Sequence, residues 1–135
     1  MISSGIDIVS IERIGRALEK NGEAFLRRIC TEKEIELCGN GNEARKAEFF
    51  AGRFAAKEAV SKALGTGFGG SGTAAAEIEI LKKDSGEPYV NLFGRAKEIY
   101  EQRGGKCLSI SISHDGGMAV AFCCIEWKEE RREER

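Results

Sequence analysis

Arg53–Gly67, reading R-F-A-A-K-E-A-V-S-K-A-L-G-T-G, decides the fold of this 135-residue chain. The stretch reads as one alanine-rich helix that breaks into glycine. Glu58 and Lys62 stand at i and i+4, so their side chains leave the helix one above the other on a single face. Phe54 and Ala55 set apolar surface beside that face, while Arg53 and Lys57 add two positive charges close by. A carboxylate that can hold a hard cation, ringed by cations that can hold phosphate, points to a site for a metal-bound phosphorylated ligand. The plainer alternative is a solvated helical ion pair, a feature contributing about 0.2–0.5 kcal/mol.

Working outward, this helix extends back to about Glu43, after the loop Gly39-Asn40-Gly41-Asn42, and forward to Leu64. The loop Gly65–Gly72 holds five glycines. It follows a helix C-terminus, the wrong end for dipole-assisted phosphate binding, and no GKS or GKT is present, so it is not a P-loop. A flexible lid, or a close approach of backbone to ligand, suits it better. Upstream, Thr31 with Glu34 forms a capping-box pattern that opens a short helix to about Cys38. Ile2–Val9 suits a strand with Ile6 and Ile8 on one face and Asp7 and Val9 on the other. Ser10 caps the next helix, striped with Ile11, Ile14, Ala17 and Leu18; Asn21-Gly22 stops it, and a second short helix carries Phe25, Leu26 and Ile29. Downstream come a strand over Ala76–Leu81, a turn at Asp84-Ser85-Gly86, a strand around Tyr89–Leu92 and a helix over Arg95–Gln102. Cys107–Ser113 alternates apolar residues with serine, and Asp115-Gly116 turns the chain into Met118–Ile125 as a hairpin. The order reads as α+β, one small domain over 1–126 followed by a charged tail over 127–135.

Composition sets limits. A chain of this length buries roughly two-thirds of its unfolded surface and needs no staple. Net charge is −1, which does not imply a broad nucleic-acid surface. No apolar run approaches the roughly 20 residues of a membrane span, and MISSGIDIV lacks the basic and apolar regions of a signal peptide, so the cytosol is expected. The five cysteines, none in Cys-x-x-Cys spacing, argue against a disulfide framework or a zinc site.

Asp7 is a charge inside an apolar strand, which calls for an exposed face or a buried partner. His114, the single histidine, sits where a strand meets a tight turn. These pieces share an order: Gly5-Ile6-Asp7-Ile8, then Phe54-Ala55-Ala56-Lys57-Glu58-Ala59 with Ser61-Lys62-Ala63, then Gly65-Thr66-Gly67, then Ser111-Ile112-Ser113-His114. In this the chain resembles the holo-[acyl-carrier-protein] synthases, the small class of 4′-phosphopantetheinyl transferases, over Met1 to about Glu126. The larger, two-lobed members carry an acidic residue two positions after the strand aspartate; Val9 stands there, which favours the small class.

The resemblance implies that fold, with one long central helix packed on a mostly antiparallel sheet. It also implies transfer of the phosphopantetheine arm of coenzyme A to a serine of apo acyl carrier protein, in support of fatty acid biosynthesis. By the same likeness Asp7 and Glu58 match magnesium ligands, and Lys62, with Glu58, carries the chemistry. Arg53, Lys57, Ser61, Gly65, Thr66 and His114 match the coenzyme A site. The family is similar in being trimeric, with sites shared between subunits. Arg13, Arg16, Lys20, Arg27 and Arg28 offer a basic surface to the acidic carrier protein, although Glu12, Glu19 and Glu23 interrupt it. Two other readings compete: a non-catalytic binder of coenzyme A or a related nucleotide, and an interaction protein in which Glu58 and Lys62 are only a helix pair.

Overall fold

The computed structural model describes residues 1–67 and 72–128. The middle of the glycine-rich loop, to which the sequence assigned a lid, and most of the charged tail lie outside the described residues.

The long helix forms where expected. This helix, α3 (Glu43–Leu64), is capped at its start by the Asn42 side chain, which accepts from the Arg45 amide at 2.8 Å. Gly65 ends it in a left-handed conformation, φ +84°, a turn only glycine makes without strain. Its second half is almost wholly covered, and between Arg53 and Leu64 only Phe54, Glu58 and Lys62 keep appreciable exposure. Ala51, Ala55, Ala56 and Ala59 are fully buried, and their small side chains let sheet and helices close on α3 from several sides.

One side of α3 is covered by a three-stranded antiparallel sheet of order β1-β5-β4: β1 (Ile2–Ser10), β4 (Gly105–Asp115) and β5 (Met118–Trp127). The first strand thus pairs with the last, Asp7 opposite Ala121 and Ile6 opposite Phe122. A second, two-stranded sheet is the hairpin β2 (Ile78–Lys82) and β3 (Pro88–Leu92). α1 (Ile11–Ile29) runs through both helical stretches read around Asn21-Gly22; Asn21 leaves helical geometry (φ −143°, ψ 48°), so the expected stop survives as a kink. α2 (Glu32–Cys38) has the full Thr31–Glu34 capping box, and α4 (Gly94–Gln102) lies before β4.

Two expectations need correction. Ala76 and Glu77 do not begin β2; they form a 3-10 turn over Ala75–Glu77, with the Ala74 amide donating to the Glu77 carboxylate at 3.2 Å. Trp127 does not belong to a charged tail. It is the last residue of β5, 5% exposed, and its Nε1 donates to Ser3 Oγ at 2.8 Å. Among the described residues no helix is long and apolar enough to cross a membrane.

Candidate active site

β1 lies directly against the second half of α3. Ser3 Oγ donates to the Ala63 carbonyl at 2.7 Å, Gly5 lies on Ala59, and Asp7 reaches Lys62. The contact is tight because Gly5 has no side chain: a Cβ there would lie 2.1 Å from the Ala59 carbonyl oxygen and 2.8 Å from the Ala63 nitrogen. That approach answers the question raised by a charge inside an apolar strand. Asp7 points toward the helix, and its Oδ1 stands 3.2 Å from Lys62 Nζ, across 55 residues of sequence. The Lys62 ammonium also donates to the Ile6 carbonyl at 2.9 Å.

Glu58 lies one turn earlier on the same face. Asp7 and Glu58 line one cleft of about 410 Å³, together with Val9, Arg13, Ile14, Phe25 and Phe54. The Glu58 carboxyl is pushed above its ordinary range, chiefly by burial and then by the charge of Asp7, against which Lys62 pulls it down. Two carboxylates that feel each other, at the edge of an apolar cleft, form a donor set suited to a hard divalent cation. Among the described residues no group of three or more histidine, cysteine, aspartate or glutamate side chains gathers to hold a metal. Magnesium keeps several waters, so two carboxylates are enough protein ligands for it.

Part of the expected ligand set faces elsewhere. Arg53, Lys57 and Ser61 form a strip one residue round the helix from Phe54, Glu58 and Lys62, and this strip is buried. The Lys57 ammonium is fully enclosed, donating to Glu34 Oε1 at 2.9 Å, to the Ala75 carbonyl at 3.0 Å and to the Ile78 carbonyl. An ammonium has three donors, and all three are taken, so Lys57 offers nothing to coenzyme A. Ser61 Oγ donates to the Glu58 carbonyl within the helix and is likewise buried. Arg53 donates through Nε to the Ile80 carbonyl at 3.3 Å and lays its guanidinium over Phe49, 4.1 Å from the ring centroid. Within the single chain these three side chains hold the fold together on the inner face of α3, away from the carboxylate cleft.

Gly65 and Thr66 do sit at the open end of α3, one turn beyond Lys62, with both amides donating to the Ser61 carbonyl at 3.0 Å. His114 is exposed at the end of β4, its Nδ1 3.3 Å from Glu48. It lines a separate and larger cleft, about 1080 Å³, between α1, the first half of α3 and the β4–β5 turn. A single chain therefore does not bring His114 to Asp7 and Glu58. On α1, Arg13 borders the carboxylate cleft, whereas Arg16 faces the larger one and pairs with Glu12 at 3.1 Å. Arg27 pairs with Glu23 at 3.4 Å, and Lys20 and Arg28 are exposed.

The family model of the 4′-phosphopantetheinyl transferase superfamily matches residues 3–123. The chain belongs to that superfamily. Among curated phosphopantetheinyl transferases, the holo-[acyl-carrier-protein] synthase of Ruminiclostridium cellulolyticum is 49% identical over 121 residues, 90% of this chain and 89% of that protein. The synthase of Geotalea daltonii is 42% identical over 123 residues, covering 91% and 96%. Of solved structures, the Helicobacter pylori holo-[acyl-carrier-protein] synthase in complex with coenzyme A superposes with a TM-score of 0.79 at 37% identity, covering 93% of this chain and 100% of that one. The Bacillus anthracis synthase in complex with coenzyme A (3′,5′-ADP) gives 0.76 at 36% identity, covering 93% and 96%.

Sequence reasoning missed Glu34 and Gly5 as parts of this architecture. Glu34 was legible only as a helix cap, because its second partner, Lys57, lies 23 residues away. Gly5 carried a signal, a glycine two residues before a strand aspartate, that has meaning only once α3 is seen lying on it.

Proposed function

We propose that this transferase moves the 4′-phosphopantetheine arm of coenzyme A onto a serine of apo acyl carrier protein and releases adenosine 3′,5′-bisphosphate. The reading is carried by Asp7 of β1, which shares one cleft with Glu58 of α3 and stands 3.2 Å from the Lys62 ammonium one turn further on. A pure binder of nucleotides has little use for two carboxylates beside a diphosphate. The serine hydroxyl attacks the phosphorus that bears the pantetheine arm; a new P–O bond forms and the bond to the adenosine bisphosphate oxygen breaks. Glu58, whose raised proton affinity suits a base, takes the serine proton directly or through an ordered water. Lys62, one turn away, neutralises charge on the departing oxygen or protonates it. Asp7 and Glu58 would hold magnesium, which supplies charge neutralisation of the diphosphate when bound. Incubation with coenzyme A, magnesium and apo carrier protein, followed by mass measurement of the carrier, tests this. The carrier gains the arm, and a chelator prevents the gain; a carrier of unchanged mass refutes the transfer.

We also propose that the chain works as a homotrimer with sites at subunit interfaces. The outer face of the three-stranded sheet supports this, because Ile2, Ile6, Ile8 and Phe122 are 67%, 58%, 61% and 45% exposed. Ile6 and Phe122 are direct cross-strand partners, so the patch is continuous, and such patches mark association surfaces. Assembly through it would let His114 and Glu48 of one protomer serve the carboxylate cleft of the next. Ile6→Asp is expected to give a monomer by light scattering and to reduce transfer severely; an unaltered mass would sink this interface.

Carrier docking on α1 is the third element of the reading, with Arg13 at the mouth of the cleft. Reversing Arg13 to glutamate is expected to raise KM for the carrier protein about tenfold at low salt. Reversing Arg16, already occupied by Glu12, matters less. Steady-state kinetics at two salt concentrations decide, and equal KM values for all three proteins would remove this surface.

A further inference from the structure

The buried ion pair of Glu34 and Lys57 is unused by any step above, yet both of its side chains are fully engaged in hydrogen bonds. Glu34 Oε1 accepts from Lys57 Nζ at 2.9 Å and from the Thr31 amide at 2.8 Å, while Oε2 accepts from the Ile80 amide at 2.7 Å. Lys57 donates its other protons to the carbonyls of Ala75 and Ile78. Both side chains are wholly buried. One turn earlier Arg53 holds the Ile80 carbonyl. Thr31 Oγ1 donates to Glu79 Oε2 at 2.6 Å, and Asn91 Nδ2 donates to Glu79 Oε1 at 3.1 Å, which ties hairpin β2–β3 into the same cluster. Three separate segments, the start of α2, the 3-10 turn and β2, are therefore fastened to α3 at Lys57, the residue next to Glu58.

Apart from the close seat of β1 on the opposite side, much of the α3 packing is poorly suited to fixing an angle. Ala51, Ala55, Ala56, Ala59 and Ala63 supply smooth, non-directional contact. Charge-assisted hydrogen bonds, by contrast, are short and directional. A roll of α3 by about 10° would carry a side-chain carboxylate, about 6 Å from the axis, through about 1 Å. Misplacement on that scale can cost about 100-fold in rate.

We propose that Glu34 and Lys57 act as a positioning pair, which sets the rotation of α3 and so aims Glu58 and Lys62 into the carboxylate cleft. The proposal rests on the transfer reading above. It differs from a ligand role for Lys57, which would act on coenzyme A affinity. It differs equally from a merely stabilising role, which would leave a folded variant with normal kinetics.

The test compares the unmodified protein, Lys57→Met and the apolar double variant Glu34→Met/Lys57→Met, each assayed for transfer well below its own Tm, with circular dichroism as the check on folding. The double variant is included because removing one partner strands a buried charge, whereas replacing both with apolar groups is often tolerated. At least one variant is expected to fold, with kcat lowered about 30- to 100-fold and KM for coenzyme A within about threefold of the unmodified value. A raised KM with intact kcat would make Lys57 a ligand and overturn the proposal. Normal kcat and KM in a folded variant, or failure of both variants to fold, would make the pair a stability element and overturn it too. An unmodified protein that transfers nothing would instead refute the proposed function, so the two failures are told apart.

Discussion

Gly5→Ala is expected to lower both stability and turnover more than an added methyl at any other described glycine. The new Cβ would lie 2.1 Å from the Ala59 carbonyl oxygen and 2.9 Å from Lys62 Cβ, and a backbone atom within a packed helix cannot turn aside as a side chain can. β1 must back away from α3, and forced overpacking of this kind typically costs about 1–3 kcal/mol, here at the upper end. For a chain of this size that corresponds to a fall in Tm of about 10 °C. Turnover should fall by about 100-fold or more, because Asp7 is two residues along the displaced strand and an error of about 1 Å is already costly. Gly22→Ala makes the control: a methyl there meets open space, and the melt should not fall. Thermal melts with single-turnover transfer rates decide the matter. A Gly5→Ala protein with normal Tm and normal rate would show that the strand and helix do not need this closeness.

Lys62→Ala is expected to separate chemistry from folding. The Lys62 side chain is half exposed, 51%, and its contact with Asp7 is of the partly solvated kind that contributes at most about 1 kcal/mol. Tm should therefore change little. In the proposed reaction, however, its ammonium neutralises charge on the leaving oxygen, and loss of one such electrostatic stabiliser costs about 100- to 1000-fold in kcat. Near-normal transfer by Lys62→Ala would remove this residue from the chemistry, whatever the mass assay shows for the unmodified protein. The two variants also make opposite pairs of signals: Gly5→Ala moves stability and rate together, Lys62→Ala moves rate alone.

How much could be read in advance differs from residue to residue. The bounds of α3 follow from atoms close in sequence: an asparagine oxygen over the first free amides, helix-forming alanines, and a glycine that accepts positive φ. The same holds for Thr31 and Glu34 as caps and for the β4–β5 hairpin, where Gly116 and Gly117 both take positive φ in a two-residue loop. Ala76 and Glu77, read as the start of a strand, fall instead in the 3-10 turn Ala75–Glu77, where Lys57, far upstream, holds the Ala75 carbonyl. His114, matched by resemblance to the coenzyme A site, lines a different cleft from Asp7 and Glu58 within the single chain.

From the order of residues alone came most of the elements, the bounds of α3 and the pairing of Glu58 with Lys62, since capping, propensity and i, i+4 spacing are local physics. Asp7 stood out only as a charge in an apolar strand, and its match to a metal ligand came from the family resemblance. Which side of α3 would meet the cleft was settled only by folding. The strips Arg53-Lys57-Ser61 and Phe54-Glu58-Lys62 differ by one residue of rotation, and both carry charge. A helix buried nearly all round has no apolar stripe to tell its faces apart. Glu34 on one side and the bare backbone of Gly5 on the other make the choice, and both act across gaps in sequence that no helical period can span.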